Sequence, residues 1–309
     1  MTARLLRAAA SRGGRSARGG KRRVRGRVVD NGRMRAAVIG HVEWVRFARV
    51  PHVPASGEIV HALDSWEEPA GGGAAAAVQL AKLAGAALLF TALGDDPLGH
   101  RAHEELEARG VEVHAVFRKE PTRQAFTHVD ARGERTITVL GERLGPRARD
   151  ELPWDELNEI DAVYFTAGDA GALAHARRAG VLVATSRALP ALVQAQTPLD
   201  ALVGSASDPA EAYEPGALEP PPGLVVMTTG ERGGWITVGG HTRQPFAAPP
   251  LGAAIVDRYG AGDAFAAGLT YALGCGLAPS HAAALAARCG AAALTGRGAY
   301  EGQLTEPPG

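Results

Sequence analysis

The sequence predicts an α/β fold in which a mostly parallel sheet is covered by helices on both faces. From residue 36 onward, short and continuously apolar runs alternate with longer helical runs, which is typical of parallel βαβ units. The chain of 309 residues is long enough for one large domain with a full core. No linker-like stretch divides residues 34–309, so we expect a single α/β domain there.

The individual elements follow from this alternation. Apolar runs predict buried strands at residues 36–39, 87–92, 162–165, 181–184, 201–203 and 224–228. Helical runs predict helices at residues 73–83, 100–109, 170–178, 264–273 and 280–294. The last two helices are almost wholly apolar, so we expect them to be buried.

Two segments break the alternation and predict antiparallel strands. Residues 58–62 form the first, and residues 125–139 form a hairpin that turns at Arg132 and Gly133. The sequence therefore predicts a second, smaller sheet beside the main one.

The first 33 residues differ in composition from the rest. They hold 11 of the 33 Lys and Arg residues but only Asp30 among the acids. We expect residues 1–33 to be a disordered basic leader, because they contain too little apolar surface to form a core. A transit peptide and electrostatic binding to nucleic acid are alternatives. We favour Met34 as the functional start, and we expect no nucleic-acid role because it would rest on the leader alone.

Composition also indicates the compartment. Cys275 and Cys289 lie in apolar helical runs and fit a reducing cytoplasm, where no disulfide is expected. The chain has no apolar run of about eighteen residues, so we expect no membrane span. We therefore expect a cytoplasmic protein.

Residues 257–268 carry the strongest functional signal. Gly260 and Gly262 precede an alanine-rich helical run, and glycines let a ligand approach the free N–H groups of a helix N-terminus. Asp263 would stand at this anion site, where a carboxylate can orient a hydroxyl and accept its proton during phosphoryl transfer. The alternative is that Asp263 is simply the N-cap of the helix.

Three motifs along the chain resemble those of one protein family. Residues 260–263, Gly-Ala-Gly-Asp, resemble the signature of the ribokinase-like, or PfkB, family of sugar kinases. Residues 71–73 and the Gly-Asp-Asp-Pro-Leu-Gly turn at 94–99 resemble the family's first signature. Residues 228–233 resemble its nucleotide-side loop, and the whole resemblance covers roughly residues 36–300.

This resemblance implies a ribokinase-like three-layer sandwich with a mostly parallel central sheet and a small β-sheet lid. The lid strands are expected near residues 41–63 and 124–140, where they would cover the acceptor site and mediate the contacts of a homodimer. The resemblance also implies ATP- and Mg²⁺-dependent phosphorylation of a hydroxyl of a sugar or sugar-like small molecule.

The same resemblance assigns roles around the glycine loop. The backbone N–H groups of Gly260, Ala261 and Gly262 would form the anion hole for the transferring phosphoryl group, and Asp263 would be the base. Asp257 lies where the family often has an acid near the nucleotide and a monovalent cation such as K⁺. The alternative is that Asp257 only ends its strand.

Nucleotide and magnesium contacts are implied further upstream. Thr228, Gly230 and Gly233 would contact the nucleotide. Ser205 and Asp208 reproduce, with shorter side chains, the spacing of the family's Asn-x-x-Glu element, so Asp208 would hold Mg²⁺ through water. The alternative is that Asp208 only begins a helix.

The acceptor side departs more from the family. Glu43 and Val45 stand where the family has an Asn and an Asp that contact sugar hydroxyls. Glu43 would accept hydrogen bonds from vicinal hydroxyls and Trp44 would stack on a sugar face, unless both are ordinary residues that face the lid. Arg143 is a candidate for an anion or substrate contact, with a solvated loop arginine as the alternative.

The glycine segment on the acceptor side is also reduced in polar character. Gly72 and Gly73 would bind the acceptor, but residues 74–76 are alanines and lack the Lys or Asn that many sugar-binding members carry there. A pocket discriminates strongly through hydrogen bonds that the wrong ligand leaves unpaired, so no particular sugar is indicated.

Two other functions remain open. One is a nucleoside kinase of the same fold, and the other is a non-catalytic relative that binds a sugar or a nucleotide. The intact Gly-Ala-Gly-Asp motif favours catalysis, because a binding protein has no need of the base.

We predict that a chain beginning at Met34 keeps the thermal midpoint and turnover of the full chain. The reason is that the leader has no apolar periodicity with which to dock on the domain. Thermal unfolding and turnover are measured on both chains. A large drop in either on truncation would show that the leader packs on the domain.

Overall fold

The computed structural model describes residues 23–24, 27–28 and 34–305. Within the leader, β1 (Arg23–Val24) and β2 (Arg27–Val28) pair antiparallel. The rest of the leader lies outside the described residues. The prediction that the leader is disordered concerns those residues. Every feature below belongs to a separate compact unit that begins at Arg33.

Strands and helices alternate along this unit. The strands are β3 (Ala36–Ile39), β4 (Glu43–Arg49), β5 (Asp64–Ala70), β6 (Ala87–Gly94), β7 (Val111–Arg118), β8 (Gln124–Val129), β9 (Arg135–Leu140), β10 (Ala162–Phe165), β11 (Val181–Thr185), β12 (Ala201–Ser205), β13 (Leu224–Thr228), β14 (Gly234–Val238) and β15 (Gln244–Phe246). The α-helices are α1 (Gly72–Ala84), α2 (Pro97–Glu107), α3 (Ala170–Ala176), α4 (Leu189–Ala195), α5 (Ala261–Gly274) and α6 (Pro279–Ala293).

Nine strands form the central sheet, in the order β15-β14-β13-β12-β11-β10-β3-β6-β7. The seven strands from β13 to β7 in this order are parallel, and β14 and β15 join antiparallel at one edge. This confirms the predicted mostly parallel sheet.

Helices cover both faces of the sheet, as the side chains of β3 illustrate. Ala36 and Val38 belong to a core cluster that includes residues of α1, α5 and α6. Ala37 and Ile39 point to the other face and pack in a cluster with residues of α3 and α4. The three-layer sandwich expected from the sequence is therefore confirmed.

The second sheet has four strands in the order β5-β4-β8-β9. β4 pairs antiparallel with β5 and parallel with β8, while β8 and β9 form the predicted hairpin. The hairpin turns where predicted, and Gly133 takes up the left-handed backbone conformation with φ 74°.

The predicted strand at residues 58–62 is wrong. The carboxylate of Glu58 accepts a hydrogen bond from the N–H of Ala55 at 2.9 Å and lies 2.7 Å from His52 Nε2, which closes a local loop there. The lid strand is β5, which lies beyond the predicted boundary at residue 63.

The sequence does not predict β5, because the composition of this strand is polar. All seven residues of β5 pair with β4, and Trp66 stacks on Phe47 at a centroid distance of 4.8 Å. One partly buried aromatic ring among acidic neighbours does not produce the apolar alternation that predicts a strand. The sequence likewise did not indicate β7, β14, β15 and α4, whereas β4 falls within the range 41–63 that was expected to hold lid strands.

Among residues 34–305, no helix is both long enough and apolar enough to cross a bilayer.

We predict that Gly268→Val lowers the free energy of unfolding by about 1–3 kcal/mol through overpacking between α5 and α6. A Cβ at Gly268 would lie 2.7 Å from Cys289 Sγ and 3.1 Å from Ala286 Cα. The matched control is Gly252→Val, since Gly252 lies in an exposed loop with nothing within 4 Å of its Cβ position. Denaturant unfolding gives both values, and equal losses would contradict the close packing of the two helices.

Candidate active site

A cavity of about 540 Å³ opens between the lid and the carboxyl ends of the central strands. Thr185, Ser205 and Thr228 are the last residues of β11, β12 and β13, and all three line it. Side chains of the lid strand β9 line it as well. Ligands of open α/β sheets bind at this edge, so we take the cavity as the candidate active site.

The predicted glycine loop lies at this cavity. Gly260, Gly262 and Asp263 line it, and Ala261 lines an adjoining cavity. Gly260 is the N-cap of α5, with φ 75°, and the helix begins at Ala261. The alternative in which Asp263 caps the helix is therefore wrong, since Asp263 is the third helical residue. The first N–H groups of α5 have no intrahelical partner and remain available to an anion.

Asp263 is close to the other glycine motif. A Cβ at Gly72 would lie 3.0 Å from Asp263 Oδ1 and 2.8 Å from Thr166 Oγ1, so only glycine leaves this space open. Among the described residues, no side chain or backbone N–H bonds to the Asp263 carboxylate. Gly72 lines the cavity but Gly73 does not, and Gly73 packs against the backbone of His41, whose carbonyl accepts its N–H at 3.0 Å.

The surroundings of Asp263 alter its acidity. The pKa of its carboxyl is raised to about 6, chiefly by burial, with Glu211 and Glu43 acting in the same direction. Arg135 and Arg187 act in the opposite direction and favour the ionised form. A carboxylate with a pKa in this range is suited to accept a proton near neutral pH.

A second cavity of about 640 Å³ adjoins the first. The structure brings the predicted nucleotide contacts Thr228, Gly230 and Gly233 together along its lining. Arg135 and Gly262 line both cavities and therefore mark the junction between them. Arg135 was not indicated by the sequence, because its position depends on how the lid folds over the sheet.

Asp257 lines neither cavity. It is fully buried, and its two carboxylate oxygens accept hydrogen bonds from the N–H groups of Tyr259, at 2.8 Å, and Gly298, at 3.0 Å. Residues 251–259 contain no strand, so the alternative that Asp257 ends a strand is wrong. The observed contacts give Asp257 a structural role in holding the chain that leads into Gly260.

Ser205 and Asp208 both line the first cavity. Asp208 begins the short 3-10 helix Pro209–Glu211, in agreement with the alternative interpretation, and it forms an ion pair with Arg187 at 2.6 Å. Glu211 joins Ser205 and Arg187 on this side of the cavity. Its carboxylate accepts the N–H of Ser205 at 2.8 Å and pairs with Arg187 at 2.6 Å. The carboxylates of Asp208 and Glu211 supply the oxygen ligands that Mg²⁺ prefers.

Glu43 lines the cavity, but its carboxylate already has partners. One oxygen lies 3.2 Å from Arg123 Nε, and the other accepts a hydrogen bond from the Tyr259 hydroxyl at 3.4 Å. The Tyr259 hydroxyl in turn accepts the N–H of Gly71 at 3.3 Å. Glu43 therefore ties the lid to the glycine loop, and the sequence did not indicate Arg123 as its partner.

Trp44 does not line the cavity, so the expectation that it stacks on a sugar is wrong. Successive side chains of β4 point to opposite faces, and Trp44, which is 1% exposed, packs beneath the guanidinium of Arg101 at 4.5 Å. Arg143 does line the cavity, as predicted for a residue that contacts the ligand.

We predict that Asp263→Asn stabilises the fold at neutral pH. The pKa of Asp263 is about 6 in the folded protein and 3.8 in the absence of its surroundings, so the ionised carboxylate is disfavoured in the folded state. The stability that the protonated group confers is therefore lost as the pH rises from 3.8 to about 6. Asn has a similar size without the charge, so the variant should gain thermal midpoint over the wild type across this window. A midpoint difference that does not change with pH would contradict the raised pKa.

Comparisons with known proteins agree with this geometry. The curated protein described as the ATP-dependent ribose-1-phosphate kinase of Halopiger xanaduensis is 33% identical over 161 residues, which are 48% of this chain and 53% of that protein. The match therefore spans about half the length of this curated relative. Among solved structures, ribokinase from Thermotoga maritima has a TM-score of 0.71 at 21% identity, covering 88% of this chain and 96% of the other.

A second solved relative is adenosine kinase from Sinorhizobium meliloti, with a TM-score of 0.69 at 19% identity, covering 87% of this chain and 96% of that one. At such identities these two likenesses show the ribokinase-like fold. The family profile described as "pfkB family carbohydrate kinase" matches residues 34–306. The match spans the whole of the described α/β unit, and the chain therefore belongs to the pfkB family of carbohydrate kinases.

Proposed function

We propose that the protein phosphorylates a hydroxyl of a sugar or sugar-like small molecule with ATP, and that Asp263 is the base. The observation that carries this proposal is the position of Asp263 in the first turn of α5, beside the junction of two cavities and without a bonding partner among the described residues. A group that accepts a proton from the acceptor has to be unoccupied and within reach of both substrates.

In this mechanism the acceptor occupies the first cavity and ATP the second. The acceptor hydroxyl donates its proton to Asp263 as its oxygen attacks the γ-phosphorus, and ADP leaves. The backbone N–H groups of Gly260, Ala261 and Gly262 stabilise the phosphoryl oxygens. Arg135 reaches the junction from the lid and is placed to offset the developing negative charge.

We assign the nucleotide side as follows. Thr228, Gly230 and Gly233 bind the nucleotide, and Phe246 and Phe265 form an apolar wall of the same cavity. Asp208, together with Glu211, would hold Mg²⁺ through its waters, and the ion would neutralise phosphate charge when bound. A K⁺ ion near Asp257 stays a prediction, since both oxygens of that carboxylate already accept N–H bonds.

Three acceptor classes follow from the relatives. The curated relative is described as acting on ribose 1-phosphate, and the solved ones are a ribokinase and an adenosine kinase. Sugars, sugar phosphates and nucleosides therefore belong in one assay panel with ATP and Mg²⁺. A non-catalytic binding protein would turn over none of them.

Two further assignments are part of the proposal. A cytoplasmic location is supported by the two free cysteines. A homodimer formed through the lid is supported by β9, an edge strand of the lid sheet that exposes the apolar side chain of Leu140. No nucleic-acid partner is proposed.

We predict that Asp263→Asn lowers turnover by roughly 10²–10⁴, because the proton acceptor is lost while the side chain keeps its size. ATP binding should persist, since the phosphates are held by backbone N–H groups and not by the carboxylate. In the wild type, kcat/KM should fall as the pH drops through about 6, where Asp263 becomes protonated.

The matched control is Asp95→Asn, which removes an exposed carboxylate that pairs with His100 and lines neither cavity. Turnover, ATP affinity and thermal midpoint are measured on all three proteins. Turnover of the Asp263 variant at the wild-type level would refute its role as the base, and a wild type inactive on the whole panel would favour the binding-protein alternative.

A further inference from the structure

Arg187 occupies the two carboxylates to which the proposed function assigns Mg²⁺. Its Nη2 atom lies 2.6 Å from Asp208 Oδ2 and 2.6 Å from Glu211 Oε1. Its Nε atom lies 3.1 Å from the same oxygen of Glu211. Carboxylates from two different residues therefore converge on one guanidinium, and converging carboxylate oxygens are also what attracts a hard divalent cation. The guanidinium stands where such an ion would have its ligands.

The other oxygens of these carboxylates accept backbone hydrogen bonds. Asp208 Oδ1 accepts the N–H of Ala210 at 2.9 Å, and Glu211 Oε2 accepts the N–H of Ser205 at 2.8 Å. The two oxygens that face Arg187 are thus the ones that can change partner without breaking a contact to the backbone. Arg187 and Mg²⁺, or the waters that the ion carries, are therefore competitors for the same two oxygens.

The backbone on this side of the cavity is held by contacts that do not involve the Arg187 guanidinium. The Ser186 hydroxyl donates to the carbonyl of Glu211 at 2.8 Å, and the N–H of Arg187 donates to Thr185 Oγ1 at 3.2 Å. The Arg187 side chain itself is 42% exposed. Because it is not enclosed by the core, it can turn away from the carboxylates while the two short segments that carry them keep their places.

Arg187 is also close to the position of phosphoryl transfer. It lines the first cavity together with Gly262 and Asp263. Burial raises the pKa of Asp263, whereas the charges of Arg135 and Arg187 lower it, so the guanidinium acts on the base from its present place. A guanidinium can bind two phosphate oxygens at once, which makes Arg187 a suitable partner for the γ-phosphoryl group once its carboxylates are taken.

We propose that Arg187 and Mg²⁺ alternate on the carboxylates of Asp208 and Glu211, and that the displaced Arg187 contacts the γ-phosphoryl group as a catalytic residue. This inference rests on the proposed kinase function and adds a residue to it. Arrival of the ion would then bring two cations to the phosphates, since the guanidinium is released into the cavity at the same time. The carboxylates would not be left unpaired at any stage, which avoids the cost of a partly buried charge without a partner.

The first test measures metal binding without turnover. Mn²⁺ serves as the probe, and electron paramagnetic resonance counts the free ion in solutions of the nucleotide-free full chain. Arg187→Gln should bind Mn²⁺ about 3- to 10-fold more tightly than the wild type, because a competing ion pair is removed. The matched control is Arg135→Gln, which removes a positive charge from the same cavity but no partner of Asp208 or Glu211.

The second test measures the phosphoryl contact at saturating Mg²⁺. Arg187→Gln should lower kcat by about 10- to 100-fold and leave the KM of the acceptor nearly unchanged, since the contact is made to the transferring group. Arg187→Lys keeps a charge without the planar fork and should recover part of kcat. The control is Arg178→Gln, which breaks an exposed pair with Asp155 and lines neither cavity. Thermal midpoints verify that every variant folds.

Three outcomes overturn the inference. Mn²⁺ affinity that is unchanged or weaker in Arg187→Gln, or that rises equally in Arg135→Gln, refutes the competition. A wild-type kcat in Arg187→Gln at saturating Mg²⁺ refutes the phosphoryl contact.

Failure of the kinase function itself looks different, because no acceptor is then turned over by the wild type. In that case calorimetry with Mg²⁺ compares ADP with the non-hydrolysable ATP analogue AMP-PNP. Affinity that Arg187→Gln loses for AMP-PNP but keeps for ADP supports the contact with the γ-phosphoryl group. Equal effects on both nucleotides, or no effect on either, refute it.

Discussion

The buried carboxylate of Asp257 holds the segment on which the candidate active site depends. Residues 251–259 have no regular secondary structure, and single backbone bonds such as that from the Val256 N–H to the Leu294 carbonyl at 2.8 Å hold the approach to α5. Asp257 adds to these bonds by accepting the N–H groups of Tyr259 and Gly298, which joins the segment to the chain that follows α6. A fully buried carboxylate is tolerated because both oxygens are bonded. Gly260 then turns the chain with φ 75°, and the first turn of α5 faces the cavity.

The same segment links the two sheets through Tyr259. Its side chain is buried, with the ring packed edge-on against Phe47 of the lid at 5.0 Å. Its hydroxyl contacts Gly71 before α1 and Glu43 at the start of β4. Arg258 adds a second link, because it pairs with Glu134 of the lid hairpin at 2.8 Å and with Glu231 of the nucleotide-side loop at 3.1 Å. The position of the lid is thus coupled to the loops that line both cavities.

Features that depend on local sequence could be predicted, whereas features that depend on contacts between distant elements could not. β10 and β13 are predicted to the residue, because strands buried on both faces read as continuous apolar runs. β5 is missed, because only Trp66 marks its buried face. The glycine loop could be found from local sequence, since glycines before a helix have a local cause. Arg135 and Glu211 could not be found, since their places in the site depend on elements that meet only in the folded chain.

Charge around Asp263 shows why the site needs cations from several elements. The pKa of this carboxyl is raised to about 6, chiefly by burial, and the phosphates of a nucleotide in the adjoining cavity would add negative charge beside it. Negative charge favours the protonated carboxyl, which cannot accept a proton. Arg135 from the lid and Arg187 after β11 both oppose this effect, and a divalent cation near Asp208 would oppose it further. Under the proposed function, the lid therefore does more than cover the site, because it holds Arg135 where its charge favours the ionised base.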